Sequence, residues 1–66
     1  MSLENLSEIV NASVKQRIAV QAMMAVGCVN WIDYGDNRTL IVNWDDGEYG
    51  IPSNYIIDYK GIVTKE

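Results

Sequence analysis

Residues 38–57, RTLIVNWDDGEYGIPSNYII, constrain the fold more than any other part of this chain. Apolar side chains alternate at Leu40, Val42 and Trp44, which is the period of a strand with one buried face. The Asp-Gly pair that follows tolerates the positive φ angles of tight hairpin turns. The segment therefore predicts a strand over 39–45, a turn at 45–47 and a short returning strand over 48–51.

The rest of the second half continues the β pattern. Pro52 has no backbone N–H to donate to a sheet, so we expect it to begin a turn through residues 53–55. Residues with turn preference separate the remaining apolar runs. The further predicted elements are strands over 28–33, 56–59 and 62–64, with turns at 34–37 and 60–61.

The first third of the chain has helical periodicity. One arc of a helical wheel collects its apolar side chains, which are Leu3, Leu6, Ile9, Val10 and Val14. Ser2 or Asn5 can cap the N-terminus of such a helix, and acidic residues follow in the first turns, where the helix dipole favours them. The pattern predicts one helix over 2–25, stopped by Gly27.

Residues 17–26 leave a second interpretation open, because their apolar residues also alternate as in a strand. These residues are Ile18, Val20, Ala22, Met24 and Val26. Alanine, methionine and glutamine favour the helix. In the helical interpretation this half is apolar nearly all round, so we expect burial on more than one side, against the sheet and a partner chain.

The size of the chain predicts self-association. A chain of 66 residues forms one domain, and a domain of this size buries only about 60% of its unfolded surface. Cys28 alone cannot form an internal disulfide, and the absence of histidine argues against a zinc site. With 48% hydrophobic residues, the protein is expected to form a homo-oligomer, most simply a dimer. No histidine is present to activate the thiol of Cys28, so we expect it to be buried and inert.

The acidic charge of the chain is local. The net charge of −4 lies within residues 33–48, where five acids face Arg38 alone. Direct nucleic-acid binding needs the opposite sign and is not expected. No signal-peptide pattern opens the chain, no apolar run reaches the ~20 residues of a membrane-spanning helix, and an unpaired cysteine suits a reducing compartment. We therefore expect a cytoplasmic protein without membrane association.

Two local motifs resemble small β-barrel domains. GIPSNYI at 50–56 is similar to the stretch that ends the Src-homology-three domain, where a strand enters the last strand through a Pro-Ser-Asn-Tyr 3₁₀ turn. VNWDDGEYGIP at 42–52 resembles the hairpins of Tudor-like barrels. The resemblance implies a mainly β fold with an N-terminal helix, in which residues 27–65 form an SH3-like antiparallel barrel or partial barrel. The family's Ala-Leu-Tyr-Asp-Tyr motif is absent.

The resemblance also implies a binding surface. In Src-homology-three domains the proline and tyrosine of that turn, with a tryptophan, line grooves for proline-rich peptides. Neighbouring acids would favour a partner carrying Lys or Arg. The predicted partner-binding residues are Trp44, Tyr49, Pro52 and Tyr55 with the acids Asp45, Asp46 and Glu48. The alternatives are that Trp31 and Trp44 pack in the core or between helix and sheet, and that the acids serve only the turns.

These patterns together predict a non-catalytic module that binds a protein partner, either basic or proline-rich, without cofactor or metal. Ser-His-Asp chemistry is excluded for want of histidine, and neither a calcium-loop nor a phosphate-loop spacing is present. One alternative function is that of an acidic nucleic-acid mimic that inhibits a nucleic-acid enzyme. Another is that of a structural subunit of a homo-oligomer.

Overall fold

The computed structural model describes residues 9–47 and 50–66, which form a helix followed by a four-stranded antiparallel sheet. The elements are α1 (Val14–Val26), β1 (Cys28–Tyr34), a 3₁₀ turn (Asp36–Arg38), β2 (Leu40–Asp45), β3 (Ser53–Ile57) and β4 (Val63–Lys65). The strands lie in the sheet in chain order. Within the described residues the sheet is open, with β1 and β4 at its edges. The expected helix-plus-antiparallel architecture is confirmed at this level, and barrel closure is not.

The helix begins later than the amphipathic pattern predicts. Ser13 is the N-cap: its Oγ accepts a hydrogen bond from the Gln16 backbone at 3.1 Å, and the Ser13 N–H donates to Gln16 Oε1 at 2.9 Å. This capping box satisfies two N–H groups that the helix leaves unpaired. Residues 9–12 form a turn, so the predicted start is wrong for them. The predicted caps Ser2 and Asn5 lie outside the described residues.

Residues 17–26 are helical, so the strand interpretation is wrong. Their expected burial on more than one side is not found within this chain. Val20 is buried on the sheet, whereas Ile18 is 58% exposed and Val26 is 72% exposed. The helix therefore covers the sheet with one face and leaves apolar side chains on another.

The core lies between α1 and the sheet. The buried apolar side chains are Ile9, Val20, Val29, Leu40, Val42 and Ile57. The predicted inward face of β2 is confirmed, because Leu40 and Val42 are fully buried and Trp44 packs against the cluster. Full burial of each such aliphatic side chain contributes about 1.5–3 kcal/mol.

A β-bulge in β1 changes the expected position of Trp31. Val29 pairs with Trp44 and faces the core, but the register shifts before Trp31, which pairs with Asn43 on the other face. Trp31 is 44% exposed, so the core interpretation is wrong for it, because the extra residue in the bulge reverses the alternation. Cys28 lies on the same outer face and is exposed, so the expectation of a buried thiol is also wrong.

Residues 53–55 form a strand, so the predicted 3₁₀ turn after Pro52 is wrong. These residues pair with β2, in a register that runs from Trp44–Ser53 to Leu40–Ile57. Their backbone N–H and C=O groups therefore form hydrogen bonds between strands instead of bonds within a turn. The returning strand predicted over 48–51 is not found at 50–51, and residues 48–49 lie outside the described residues. The turn at 60–61 is confirmed, with Gly61 at φ 86°.

None of the helices formed by residues 9–47 and 50–66 has the length and apolarity that a bilayer crossing requires.

Candidate functional site

An apolar groove of about 340 Å³ lies between the C-terminal half of α1 and the sheet. It exists because the helix packs mainly on β1 and β2, which leaves the inward face of β3 and β4 partly uncovered. The lining residues are Ala19, Ala22, Met23, Val26, Trp44, Tyr55 and Val63. The structure therefore brings two of the predicted site residues, Trp44 and Tyr55, into one concave apolar surface.

Trp44 and Tyr55 form the aromatic wall of the groove. Their rings meet edge to face, with centroids 5.8 Å apart and an interplanar angle of 86°, which is a preferred aromatic geometry. The indole Nε1–H of Trp44 donates to the carbonyl of Met23 at 2.7 Å. That carbonyl belongs to the last turn of α1, where helices leave acceptors unpaired. The bond fixes the indole against the helix, and the packing interpretation of Trp44 is confirmed.

Small residues on α1 give the groove its space. Ala19 and Ala22 lie one turn apart on the helix face that borders it. The chain then passes close to Trp44 at Gly27, where a Cβ would clash with the indole ring and with the carbonyl oxygen of Asp45. Glycine at this position allows the helix end and the aromatic wall to approach each other.

Neither Asp45 nor Asp46 is among the residues that line the groove. Asp45 pairs with Cys28 on the outer face of the sheet. Its carboxylate accepts hydrogen bonds from the Asn30 amide at 2.9 Å and from the Gly47 backbone at 2.8 Å. Asp46 is exposed in the following turn. The single aromatic and acidic surface expected from the sequence is therefore divided between the two faces of the sheet and a turn.

The other predicted site residues do not line the groove. Pro52 is exposed immediately before β3 and is not among the lining residues. Tyr49 and Glu48 lie outside the described residues. The helical contribution, from Ala19, Ala22, Met23 and Val26, was not predicted. Its signal in the sequence is the i, i+3, i+4, i+7 spacing of small and apolar residues, which marks one helix face.

A row of asparagines crosses the outer face of the sheet. The Asn30 amide donates to Asn43 Oδ1 at 2.9 Å, and the Asn43 amide donates to Asn54 Oδ1 at 2.8 Å. These three residues come from β1, β2 and β3, and Asp45 extends the network. The side chains of Asn30, Asn43 and Asn54 are therefore linked to one another within the chain. This ladder was not predicted, because it depends on the register between strands.

Among the described residues no group of three or more histidine, cysteine or acidic side chains is placed to hold a metal ion. Three comparisons, with protein-family models, with curated proteins and with solved structures, found no match to this chain.

Proposed function

We propose that this protein is a non-catalytic interaction module that binds a protein partner in the groove between α1 and the sheet. The observation that carries the proposal is the apolar groove walled by Trp44 and Tyr55. Tryptophan and tyrosine are the residue types that dominate binding energy at protein interfaces. Their rings are held by tertiary contacts, so binding would order few side chains.

The groove suits apolar side chains of a polypeptide. A volume of about 340 Å³ lies at the lower end of the roughly 300–1,000 Å³ typical of ligand sites. Its rims, Val26 and Val63, are 72% and 41% exposed, so a bound segment would gain contact beyond the groove itself. We expect the occupant to be a short segment with one or two apolar side chains, of which a proline-rich segment is one form.

The charge around the groove favours a partner segment that also carries Lys or Arg. α1 has no basic residue in its last turn, so the negative end of the helix dipole is uncompensated there. Asp46, in the turn after β2, supplies an acid near this end of the helix. The whole chain carries a net charge of −4. These charges would speed association with a basic segment and make it salt-dependent.

The proposal is tested by selecting peptides from a displayed random library against the wild-type protein and measuring their affinity for two variants. Ala22→Arg places a long charged side chain in the groove. Ala25→Arg makes the same charge change at an exposed position of α1 outside the groove. We expect at least about a tenfold loss of affinity for Ala22→Arg and an unchanged affinity for Ala25→Arg. Equal binding by both variants, or a library that yields no binder, would contradict the proposal.

Self-association is a second candidate function, because α1 leaves an apolar stripe on its exposed side. Val14 and Ile18 are 72% and 58% exposed and lie one turn apart on the same side of the helix. A second copy would bury the same stripe in an isologous contact. Light scattering is expected to give a dimer for the wild type and for Gln21→Glu, and a monomer for Ile18→Glu. A wild-type monomer at high micromolar concentration would exclude this candidate.

The finer fold class and the compartment are also proposals. An SH3-like partial barrel is supported by the consecutive antiparallel strands and by the similarity of residues 42–56. A cytoplasmic location is supported by the exposed, unpaired thiol of Cys28, which suits a reducing compartment.

A further inference from the structure

A second cavity, of about 380 Å³, lies at the N-terminal end of α1, away from the groove. Among the described residues, Asn11, Arg38 and Tyr59 line it. Three segments far apart in the chain supply these residues: the turn before α1, the 3₁₀ turn and the β3–β4 connection. Their side chains are all of types that bind oxyanions, and one of them is a permanent cation.

The backbone at Arg38 adopts a conformation that L-residues rarely use. Asn37 and Arg38 have φ angles of 55° and 62°, in the left-handed region. The side chain of Gln16 holds this conformation, donating from Nε2 to the Arg38 carbonyl at 2.7 Å and to the Ile57 carbonyl at 3.1 Å. Gln16 is only 1% exposed. A buried polar side chain thus sets the position from which the Arg38 side chain extends.

The side chain of Arg38 is positioned as well. Its guanidinium lies over the ring of Tyr59, with Cζ 5.3 Å from the ring centroid. The Tyr59 carbonyl accepts a hydrogen bond from Ser13 Oγ at 2.7 Å, which ties the β3–β4 connection to α1. Arg17 donates to the carbonyls of Ile9 and Val10 and so fixes the turn that carries Asn11. These hydrogen bonds hold the backbone of the three segments that carry the lining residues.

No carboxylate of the described residues forms an ion pair with Arg38. The acid beside Tyr59, Asp58, uses its Oδ1 to accept the backbone N–H groups of Lys60 and Ile62 at 2.9 and 3.0 Å. The backbone carbonyl of Asp36, the acid on the 3₁₀ turn, accepts hydrogen bonds from the backbone N–H and the hydroxyl of Thr39. Within residues 9–47 and 50–66, the Arg38 guanidinium therefore packs on the Tyr59 ring without an ion pair.

The elements that meet at this end carry four of the five basic residues of the chain. These are Lys15, Arg17, Arg38 and Lys60. Lys15 lies against the β3–β4 connection, because a Cβ at Gly61 would contact it at 3.0 Å. The same elements also carry Asp36 and Asp58, so four basic and two acidic residues leave a local charge of +2. This charge would favour an anion here even though the whole protein is acidic.

We propose that the Asn11–Arg38–Tyr59 cavity is an oxyanion-binding site that takes a carboxylate or a phosphate group. Arg38 supplies charged donors in a planar fork that matches both groups. Asn11 and Tyr59 add neutral donors from the walls. The site does not depend on the proposed protein-binding groove, which lies at the other end of α1.

Two-dimensional NMR titrations at constant ionic strength test the proposal, with sodium phosphate and sodium acetate as separate probes and chloride as the balancing salt. We expect saturable shifts of the Asn11 side-chain amide, the Arg38 Nε–H and the Tyr59 backbone, with a dissociation constant on the order of 1 mM. Shifts with phosphate alone would assign the site to phosphate groups, and shifts with both probes would assign it to oxyanions that include carboxylates. Absence of saturable shifts with either probe would overturn the proposal.

Three variants separate a specific site from general screening by ions. Arg38→Asn removes the charge and keeps a residue that tolerates the left-handed conformation, so the fold should survive. It is expected to weaken phosphate binding about tenfold or more, whereas Arg38→Lys should weaken it less. Lys65→Asn, on β4 away from the cavity, makes the same charge change and should leave binding unchanged. Equal affinity in Arg38→Asn and the wild type, or an equal loss in Lys65→Asn, would overturn the proposal. If Arg38→Asn did not fold, Asn11→Ala would serve as the test, and unchanged binding would overturn it.

Discussion

The two faces of the sheet are formed by the same strands but differ in their side chains and in how much apolar surface they leave uncovered. The inner face buries Leu40 and Val42 under α1 and ends in the groove beside Trp44. No helix covers the outer face in the described residues, but its asparagine side chains form hydrogen bonds with one another. Apolar surface that the chain does not cover itself can gain free energy by binding. The proposal places partner binding in the groove for this reason, although Trp31 also leaves apolar surface exposed on the outer face.

The same comparison explains why neighbouring residues in the chain have different roles. Trp44 and Asp45 are adjacent, but strand alternation sends the indole to the groove and the carboxylate to the ladder. An acid next to an aromatic residue in a strand is thus on the opposite face. A charge that is to assist binding in the groove has to come from a turn or from a helix end.

The largest effect on stability is expected from removing side chains that pack on the inner face of the sheet. Leu40→Ala, on the inner face, should lower the free energy of unfolding by about 2–5 kcal/mol, because it leaves a cavity in the only described core. Ile41→Ala, its neighbour on the half-buried outer face, should cost about 1 kcal/mol. Urea denaturation of both variants measures the difference. Equal losses would show that the outer face is packed as tightly as the core.

A smaller loss of stability is expected from a substitution at Gly27, where the end of α1 meets Trp44. Gly27→Ala should lower the free energy of unfolding by about 1–3 kcal/mol, because the added methyl group clashes with the indole of Trp44 and with the Asp45 carbonyl. The same variant should weaken partner binding, since the indole has to move. Thermal unfolding and near-ultraviolet circular dichroism provide the measurement. An unchanged tryptophan signal would contradict this account of the groove.

The asparagine ladder should contribute less to the free energy of unfolding than these apolar contacts. Asn43→Ala removes the central member and is expected to cost about 0.5–1.5 kcal/mol, because its partners are accessible to water. Asn30→Ala, at the exposed end, should cost less because Asn43 keeps its bond to Asn54. Denaturation curves of the two variants test the order. If neither variant also changes affinity for selected peptides, the separation of the two faces is supported.

The smallest effect on stability is expected at Cys28. Because its thiol is exposed on the outer face, the native protein should react fully with a thiol reagent such as Ellman's reagent without denaturant. Cys28→Ser should change the free energy of unfolding by less than about 0.5 kcal/mol. A thiol that reacts only in denaturant would place Cys28 in a covered surface, most simply a contact between two copies.

Several elements were predictable because local chemistry and tertiary packing agree. The alternation at Leu40, Val42 and Trp44 predicts the inner face of β2, and the structure buries or packs all three. Helix propensity decides residues 17–26 correctly over their strand-like alternation. The capping box at Ser13 was readable as Ser-x-x-Gln, but the longer amphipathic pattern obscured it.

Sequence alone determined that this is a small, acidic chain without the residues for histidine- or disulfide-based chemistry, with a helix before an antiparallel β half. Tertiary structure alone decided which side chains meet. A single bulge turned Trp31 outward, pairing with β2 drew residues 53–55 into a strand, and partial coverage by α1 left the groove open. Each of these depends on hydrogen bonds and contacts between residues distant in the chain, whose free energy exceeds the small local preferences that a sequence pattern records.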